Sequence, residues 1–481
     1  MKLIMKFGGT SMAGSEKIRH AASLVAQALR QHHVVAVVSA MDGVTEQLLA
    51  IADHAEAGDR SSVEQVLSQV RSAHESTADA LGCLAETREL LSRLESLATG
   101  IMAVGECTAR SRDAVVSFGE RISTRFMAAA LGVACGSPAR GFDGGDAGIV
   151  TNNHFGEADP LMDISLMQVR DRLAPLVEAR TPVVVAGFIA QTQSGVMSTI
   201  GRGGSDYTAT ILGAALGADE IHIWSDVDGL MTADPRLVPG ARLLSHLTFA
   251  EAIEMGKFGA KSMHPRALEP AAEHGIPVRM RNTFKPDNPG TLIGSAVGQP
   301  DARRPGETAV RSVPMLKNMA MITVGGAGMI GRPGTAAALF DALAAARINV
   351  HMICQSVSEA GISVVVSMAQ LDRAKAALER SMRPFIGTRT IHAPATSDTS
   401  ASAPVLHGID VVGNIAIVAP VGSGMRGVPG VVARIFSAVA RKNLNIIAIA
   451  QGSSELSVCF AVDKDAGPEA VRAVHEEFDS R

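Results

Sequence analysis

Residues 2–11 read Lys2-Leu3-Ile4-Met5-Lys6-Phe7-Gly8-Gly9-Thr10-Ser11, and a helical pattern follows over Glu16–Gln31. Leu3–Phe7 is an apolar run of strand length, so the segment reads as strand, Gly-rich turn and helix. Lys6 stands at the strand's end, where burial without an anionic partner is costly. Two consecutive glycines let backbone N–H groups approach a phosphate, and the helix N-terminus adds positive potential. The competing reading of Lys6 is a solvated strand-end lysine.

The same pattern recurs down the chain. Val34–Ser39 is a near-continuous apolar run, as expected for a strand buried on both faces. Thr45 to Leu131 is polar, free of Pro and rich in helix formers, for example Glu86–Leu97. Strand-like runs return at Pro182–Ala186, Glu220–Trp224 and Pro277–Met280, with helical patterns at Ser205–Leu216 and Phe249–Met255. This alternation predicts an α/β unit over residues 1–295, with a mostly parallel sheet covered by helices.

Length and composition bound the rest. At roughly 150 residues per domain, 481 residues predict about three domains. Lys plus Arg number 44 against 48 Asp plus Glu, a net charge of −4, which excludes a strongly basic nucleic-acid binder and gives no membrane signal. Hydrophobic content is 47% and charged content 19%, so the chain is globular. Aromatics are only 3%, which argues against base stacking. Cys83, Cys107, Cys135, Cys354 and Cys459 are scattered with no CxxC, as in a reduced, cytoplasmic protein without a zinc site. The apolar run in MKLIMKFGG is too short for a signal peptide, and no run approaches the ~18 residues needed to span a membrane.

The tail is a duplication. Gly328, Met329, Gly331, Pro333, Gly334, Phe340, Asn349, Gln355, Ser358 and Glu359 recur at Gly424, Met425, Gly427, Pro429, Gly430, Phe436, Asn445, Gln451, Ser454 and Glu455, always 96 residues on. Each copy reads as strand (Ala320–Val324; Ala416–Ala419), Gly-rich turn, helix, strand (Val350–Cys354; Ile446–Ala450), tight turn and strand. Pro/Gly/charged residues 298–308 and Ser/Thr/Ala/Pro-rich residues 393–404 read as linkers. The expected divisions are 1–295, 312–390 and 408–481. Two copies of such a unit can cover each other side by side, within one chain or between chains. Asn349 and Gln355 then fall near one pocket, and Asn445 and Gln451 near another. Their amides suit a zwitterionic amino acid.

Several motifs mislead. Gly326–Gly331 and Gly422–Gly427 fit GxGxxG, but no acidic residue follows at the distance a dinucleotide ribose requires. A small-ligand loop, or a turn that needs Gly for backbone reasons alone, remains. Asp226-Val227-Asp228-Gly229 fails the calcium-loop spacing. Lys261-Ser262 lacks the glycine spacing of a P-loop.

Other segments complement Lys6. Gly201-Arg202-Gly203-Gly204-Ser205-Asp206 precedes a helix, and its N–H groups can form an anion nest. Arg202 can grip a carboxylate in bidentate fashion. Asp206 can pair with a catalytic lysine or serve only as a first-turn helix acid. Ser225-Asp226 closes a strand, where ligands bind in open α/β sheets. Asp234-Pro235-Arg236 follows on a loop, and Phe258-Gly259-Ala260-Lys261-Ser262 supplies a further cationic loop. His264-Pro265 reads as structural. Ser39, Thr45 and Glu120 sit at strand or helix ends.

Taken together, the KFGGTS of residues 6–11, the GRGGSD of 201–206, the FGAK-x-x-HP of 258–265 and the duplicated tail resemble the aspartate kinases of the amino-acid kinase superfamily, with two C-terminal ACT domains. That resemblance implies a three-layer α/β kinase domain, transfer of the ATP γ-phosphoryl group to the β-carboxylate of L-aspartate, and Mg²⁺ as cofactor. It implies Lys6 as the residue stabilising the transferred phosphoryl and Asp206 as its organising partner. Ser39, Thr45, Glu120, Arg202, Gly203, Gly204 and Ser205 match substrate-binding positions. Lys6, Gly8, Gly9, Thr10, Ser225, Asp226, Arg236, Lys261 and Ser262 match nucleotide positions, as does Met231, where some relatives carry Tyr. Met329, Asn349, Val350, Gln355, Asn445, Ile446 and Gln451 are the implied effector positions, for threonine or lysine. His351 stands where some lysine-sensitive relatives carry Asp, which argues against that lysine site. A homodimer or homotetramer is implied. With 481 − 427 = 54 residues after Gly427, no homoserine dehydrogenase domain fits and a monofunctional enzyme is expected. The alternatives are another acyl-phosphate-forming kinase, such as a glutamate kinase type, or a catalytically dead amino-acid sensor.

Overall fold

The computed structural model describes residues 1–259, 263–295, 308–326, 329–355, 361–386, 408–452 and 454–479. Both expected linkers fall wholly or almost wholly outside the described residues. Two compact units emerge: 1–230, 243–257 and 261–300 form the first, and 231–242, 258–260 and 301–481 the second.

The first unit runs β1 (Lys2–Phe7), α1 (Ser15–Leu29), β2 (His33–Val38), α2 (Val44–Glu56), α3 (Arg60–Leu81), α4 (Leu84–Val104), α5 (Ala109–Cys135), β3 (Arg140–Phe142), α6 (Gly144–Ala147), β4 (Val150–Thr151), α7 (Met162–Glu178), β5 (Val183–Ala186), β6 (Ile189–Thr192), β7 (Met197–Thr199), α8 (Gly204–Leu216), β8 (Glu220–Ser225), β9 (His246–Thr248), α9 (Phe249–Lys257), α10 (Pro265–Glu273), β10 (Val278–Asn282) and β11 (Thr291–Gly294). An eight-stranded sheet has the order β3-β5-β2-β1-β8-β10-β11-β9. Strands β3, β5, β2, β1, β8 and β10 are mutually parallel, and β11 runs antiparallel to β10.

Helices on both faces make three layers. Leu3, Met5 and Phe7 of β1, with Val34, Ala36 and Val38 of β2, pack into one core with α1 and α2–α5. Helices α7 and α8 cover the other face. The side-chain period of two therefore turns Ile4 and Lys6 toward α8 while Phe7 faces the opposite core, stacked 6.0 Å from Trp224. A small sheet, β4-β6-β7, was not legible in the sequence. Its strands are two to four residues long, too short to show a period.

The second unit runs β12 (Met315–Gly325), α11 (Thr335–Ala345), β13 (Met352–Gln355), β14 (Gly361–Ser367), α12 (Leu371–Ile386), β15 (Gly408–Val418), α13 (Val431–Arg441), β16 (Ala448–Gln451), β17 (Val458–Asp463) and α14 (Gly467–Asp479). One six-stranded sheet, β13-β14-β12-β15-β17-β16, joins both copies side by side. The joining strands are longer than the sequence suggested because each serves both copies. Met321–Gly325 of β12 pairs with Gly408–Val412, whereas Met315 and Leu316 pair with Val418 and Ile417. The register shifts between these stretches. Asn318 at φ 57° and Asn414 at φ 53° mark the shift in the two strands, 96 residues apart. Asn tolerates this left-handed backbone and a β-branched residue does not.

Segment 231–242 belongs to the second unit. Ala233 and Val238 sit in the core of the second copy, Thr232 Oγ1 lies 2.8 Å from His475 Nε2, and Ser312 Oγ donates to the Met231 carbonyl at 2.9 Å.

Asn318→Val and Asn414→Val should each destabilise this unit by about 1–2 kcal/mol, whereas Asn414→Gly should change it far less. Urea unfolding midpoints check the difference. Equal losses for Val and Gly would show that the side-chain amide, rather than the backbone angle, matters.

Candidate active site

The site begins with one pair. Lys6 is 9% exposed, and its Nζ lies 2.6 Å from Asp206 Oδ1. Asp206 is in the first turn of α8, whose N-cap Gly203 has φ 68°. A Cβ on Gly203 would stand 2.4 Å from the Cβ of His264, and one on Gly187 would stand 2.8 Å from Cα of Ser205. Only glycine lets the start of α8 come this close, which seats Asp206 over Lys6. His264 thus acts structurally, as the N-cap residue of α10 and the neighbour that excludes a side chain at 203.

A cavity of about 630 Å³ opens beside the pair at the carboxyl ends of the parallel strands. Its walls bring together Lys6, Gly9, Ser39, Thr45, Glu120, Arg202, Gly203, Gly204, Ser205 and Asp206. Lys6 lies near the end of β1, and the others come from segments that follow a strand or from helices on the sheet. Gly9 follows β1, Ser39 follows β2 and Thr45 opens α2. A Cβ on Gly119 would meet the Ala40 Cβ at 2.7 Å, so close packing of α5 against the loop after β2 sets Glu120 in the wall. Arg202 is exposed on the cavity rim.

Glu120 is 3% exposed and its Oε2 has no hydrogen-bond partner. Burial pushes its carboxyl up to about 8, against the opposing pull of the Ala40 backbone, its own backbone and the Lys6 charge. A cationic group arriving beside it would restore the carboxylate.

The other predicted positions lie elsewhere. Gly8 is not in the cavity wall, although a Cβ there would stand 3.8 Å from Lys6 Nζ. Thr10 lies in the short 3₁₀ turn Gly9–Ser11. Ser225 ends β8, its Oγ accepting from Val227 N at 3.4 Å, and Asp226 is exposed. Met231 and Arg236 belong to the second unit, where Arg236 is clasped by Asp234 through Nη2–Oδ2 at 2.6 Å. Lys261 and Ser262 lie outside the described residues. Met329 is buried in the first copy's core, Val350 and Ile446 are half-buried, and Asn349, Gln355, Asn445 and Gln451 are exposed. Asn349 Nδ2 lies 3.3 Å from His351 Nε2.

Sequence reasoning missed Asp42, Arg112, Asp113, Glu157, Phe188 and Thr199, all of which line the cavity. One signal existed for part of the set. Asp113, Val116 and Glu120 are spaced three and four apart, one face of a helix. Glu157 and Thr199 lie on a loop and a three-residue strand, where no period exists.

Residues 1–282 match the amino acid kinase family, and 322–382 and 418–478 match the ACT domain. The fold is thus that of the amino acid kinase family, to which the chain belongs. Aspartokinase 3, chloroplastic, of Arabidopsis thaliana is 32% identical over 99% of this chain and 81% of its own length. The bifunctional aspartokinase/homoserine dehydrogenase 1, chloroplastic, of Zea mays is 33% identical over 99% of this chain, which spans 50% of that relative. E. coli aspartokinase III, solved in complex with aspartate and ADP (R-state), superposes with a TM-score of 0.81 at 27% identity, covering 99% of both chains. Its complex with lysine and aspartate (T-state) gives 0.77. Within its family the chain groups with the aspartokinases.

Glu120 supplies a pH test. Its folded pKa lies above the ordinary value of about 4.3. The stability it contributes is therefore fully present below about pH 4.3 and lost as pH rises through about 8. Glu120→Gln keeps the shape and removes the titration. Between about pH 6 and pH 9 the wild-type urea midpoint should fall more than that of Glu120→Gln. Equal falls would place the titration elsewhere.

Proposed function

We propose that the chain is an aspartate kinase, transferring the γ-phosphoryl group of ATP to the β-carboxylate of L-aspartate to give 4-phospho-L-aspartate and ADP. The observation that carries the reading is the buried Lys6–Asp206 pair on the wall of a cavity that also holds Arg202 and Glu120. The aspartate and ADP in the complex of E. coli aspartokinase III support it.

The residues divide the work. Arg202 grips the substrate α-carboxylate, and Glu120, once ionised, receives its ammonium. Ser39, Thr45 and the N–H groups of Gly203–Ser205 orient the rest. A carboxylate nucleophile is already ionised at neutral pH and needs no general base. Lys6 neutralises charge on the transferring phosphoryl, and phosphoryl transfer asks mainly for such positioning and neutralisation. Asp206 holds the Lys6 ammonium in place.

Among the described residues no three His, Cys, Asp or Glu side chains gather as a metal cage. A magnesium ion carried on ATP phosphates needs only one or two carboxylates, and Asp206 on the cavity wall fits that mode. When bound, the ion would neutralise phosphate charge.

The duplicated unit fits a regulatory role. An amino-acid effector, threonine or lysine, binding beside Asn349 and Gln355 would inhibit by favouring a less active state. Ile353 and Ile449, 96 residues apart on the sheet's end strands, are 50% and 49% exposed, which supports a dimer or tetramer.

ADP release with aspartate against glutamate separates this reading from a glutamate kinase type or a dead sensor. In the same assay Lys6→Ala should lower kcat by roughly 10²–10³ with little change in aspartate KM. Arg202→Lys, which lacks the bidentate fork, should instead raise aspartate KM well beyond ATP KM. A near-normal kcat for the first, or equal KM shifts for the second, would reject the assigned roles.

Asn349→Ala combined with Gln355→Ala should relieve inhibition by the effector while leaving kcat without effector unchanged. Threonine and lysine are the two amino acids to titrate. Undiminished inhibition in the double variant would move the effector elsewhere.

A further inference from the structure

Asp113 is 2% exposed, sits on α5 about two turns before Glu120, and has no part in the chemistry proposed above. Its carboxylate nonetheless accepts three hydrogen bonds from the cavity wall. Oδ2 accepts from Thr199 N at 2.9 Å and from Gly156 N at 3.0 Å, and Oδ1 accepts from Thr199 Oγ1 at 2.8 Å. Burial pushes its carboxyl up, and these three bonds pull it back toward the charged form.

The donors belong to two further segments of the wall, packed against α5. Thr199 ends β7, three residues before Arg202. Gly156 precedes Glu157. The segments are also joined directly, Ala158 N donating to the Thr199 carbonyl at 2.9 Å. A Cβ on Gly201 would stand 3.5 Å from Glu157 Cγ, so the turn carrying Arg202 lies against the Glu157 loop. The outer end of that loop is braced separately, with Asn152 and Arg266 both donating to Asp159. Asp113 is thus the point at which α5, the Glu157 loop and the root of the Arg202 turn meet.

We infer that Asp113 is a positioning residue for the amino-acid substrate. It fixes the Arg202 turn relative to Glu120, and so sets the spacing between the cation that takes the α-carboxylate and the acid that takes the ammonium. Both its oxygens are committed to protein donors, so it acts through Arg202 rather than by touching substrate. The inference rests on the aspartate kinase reading for the identity of that substrate.

Hydrogen-bond chemistry separates this role from mere packing. In Asp113→Asn the amide oxygen can accept both backbone N–H groups. Its NH₂ can donate to Thr199 Oγ1, which then donates to the Gly156 carbonyl already 3.3 Å away. The network survives without the charge. In Asp113→Ala it is lost. Thr199→Val removes only the hydroxyl bond and keeps the backbone one.

The experiment measures aspartate KM, ATP KM and kcat for these three variants, and amide exchange over 152–159 and 199–204 in the ligand-free full chain. Asp113→Ala should raise aspartate KM by about tenfold or more, leave ATP KM within about twofold, and speed exchange in both segments. Asp113→Asn should stay within about threefold of wild type, and Thr199→Val should fall between. Equal rises in both KM values, unchanged exchange at 199–204, or an Asn variant as impaired as Ala would each overturn the role. If Asp113→Ala does not fold, the Asn and Val variants decide by the same criteria. A wild type inactive on aspartate whose Asp113→Ala variant still loosens both segments would remove the substrate assignment and keep the positioning.

Discussion

A lysine ammonium largely buried at the end of a central parallel strand needs a fixed anion, because little water is left to share the charge. Asp206 provides that anion at 2.6 Å, and the local architecture is arranged to deliver it. Strand β1 has neighbours on both sides, so its register is fixed by ladders to β2 and β8. The register sends Lys6 to the α8 face. Helix α8 must then begin close above the sheet, which requires bare backbone at Gly187, Gly203 and Gly204. A methyl group at any of them would meet a neighbour under 3.0 Å away and lift the helix start, and with it Asp206. Gly203 and Gly204 are thus as much a packing requirement as a candidate anion nest.

How much of this was legible depended on the length of each period. Strands β1, β2 and β5 showed as apolar runs because both their faces are covered, whereas β8 and β10 mix buried and half-buried residues. Their observed limits, such as Val183–Ala186 against the expected Pro182–Ala186, differ by a residue or two. The Lys6, Arg202 and Asp206 turns were visible because glycine-rich sequence before a helix has few uses. The bonding role of Asp113 was hidden for the opposite reason. Its helical spacing to Glu120 marks only a shared face of α5, and its partners Thr199 and Gly156 are 86 and 43 residues away. Nothing short of the folded chain brings them together.

The duplicated tail shows a different limit. Identities at an offset of 96 revealed two copies able to lie side by side, each read with strands of its own. The strands are instead shared. Asn318 and Asn414 turn each joining strand from one copy's ladder to the other's, so each copy's sheet is completed partly by the other. An asparagine inside a strand pattern carries no sign of that use until its backbone angle is known. Segment 231–242 adds a further interruption, since it is buried with the second copy although it lies between β8 and β9 in sequence. Sequence order and structural membership diverge here because hydrophobic burial of Ala233 and Val238 decides membership.

The charge of the cavity constrains what can enter it. Its walls carry the acids Asp42, Glu46, Asp113, Glu120, Glu157 and Asp206 against the cations Lys6, Arg112 and Arg202, with no histidine or cysteine. Asp113 is committed to three donors, Asp206 to Lys6, and Arg112 to Asp53 and Glu56. The other charged groups of the described lining are Arg202, Asp42, Glu46, Glu120 and Glu157. A purely anionic ligand would meet net repulsion in such a space. A zwitterionic amino acid brings its own ammonium, and a nucleotide brings a divalent ion on its phosphates. On the proposed reading the wall needs to supply neither a nucleophile nor a general base, since one substrate brings the attacking oxygen and the other the phosphoryl group. The protein's contribution reduces to holding two charged molecules in line, and that is a task for a rigid strand, a close-packed helix start and the glycines that let them meet.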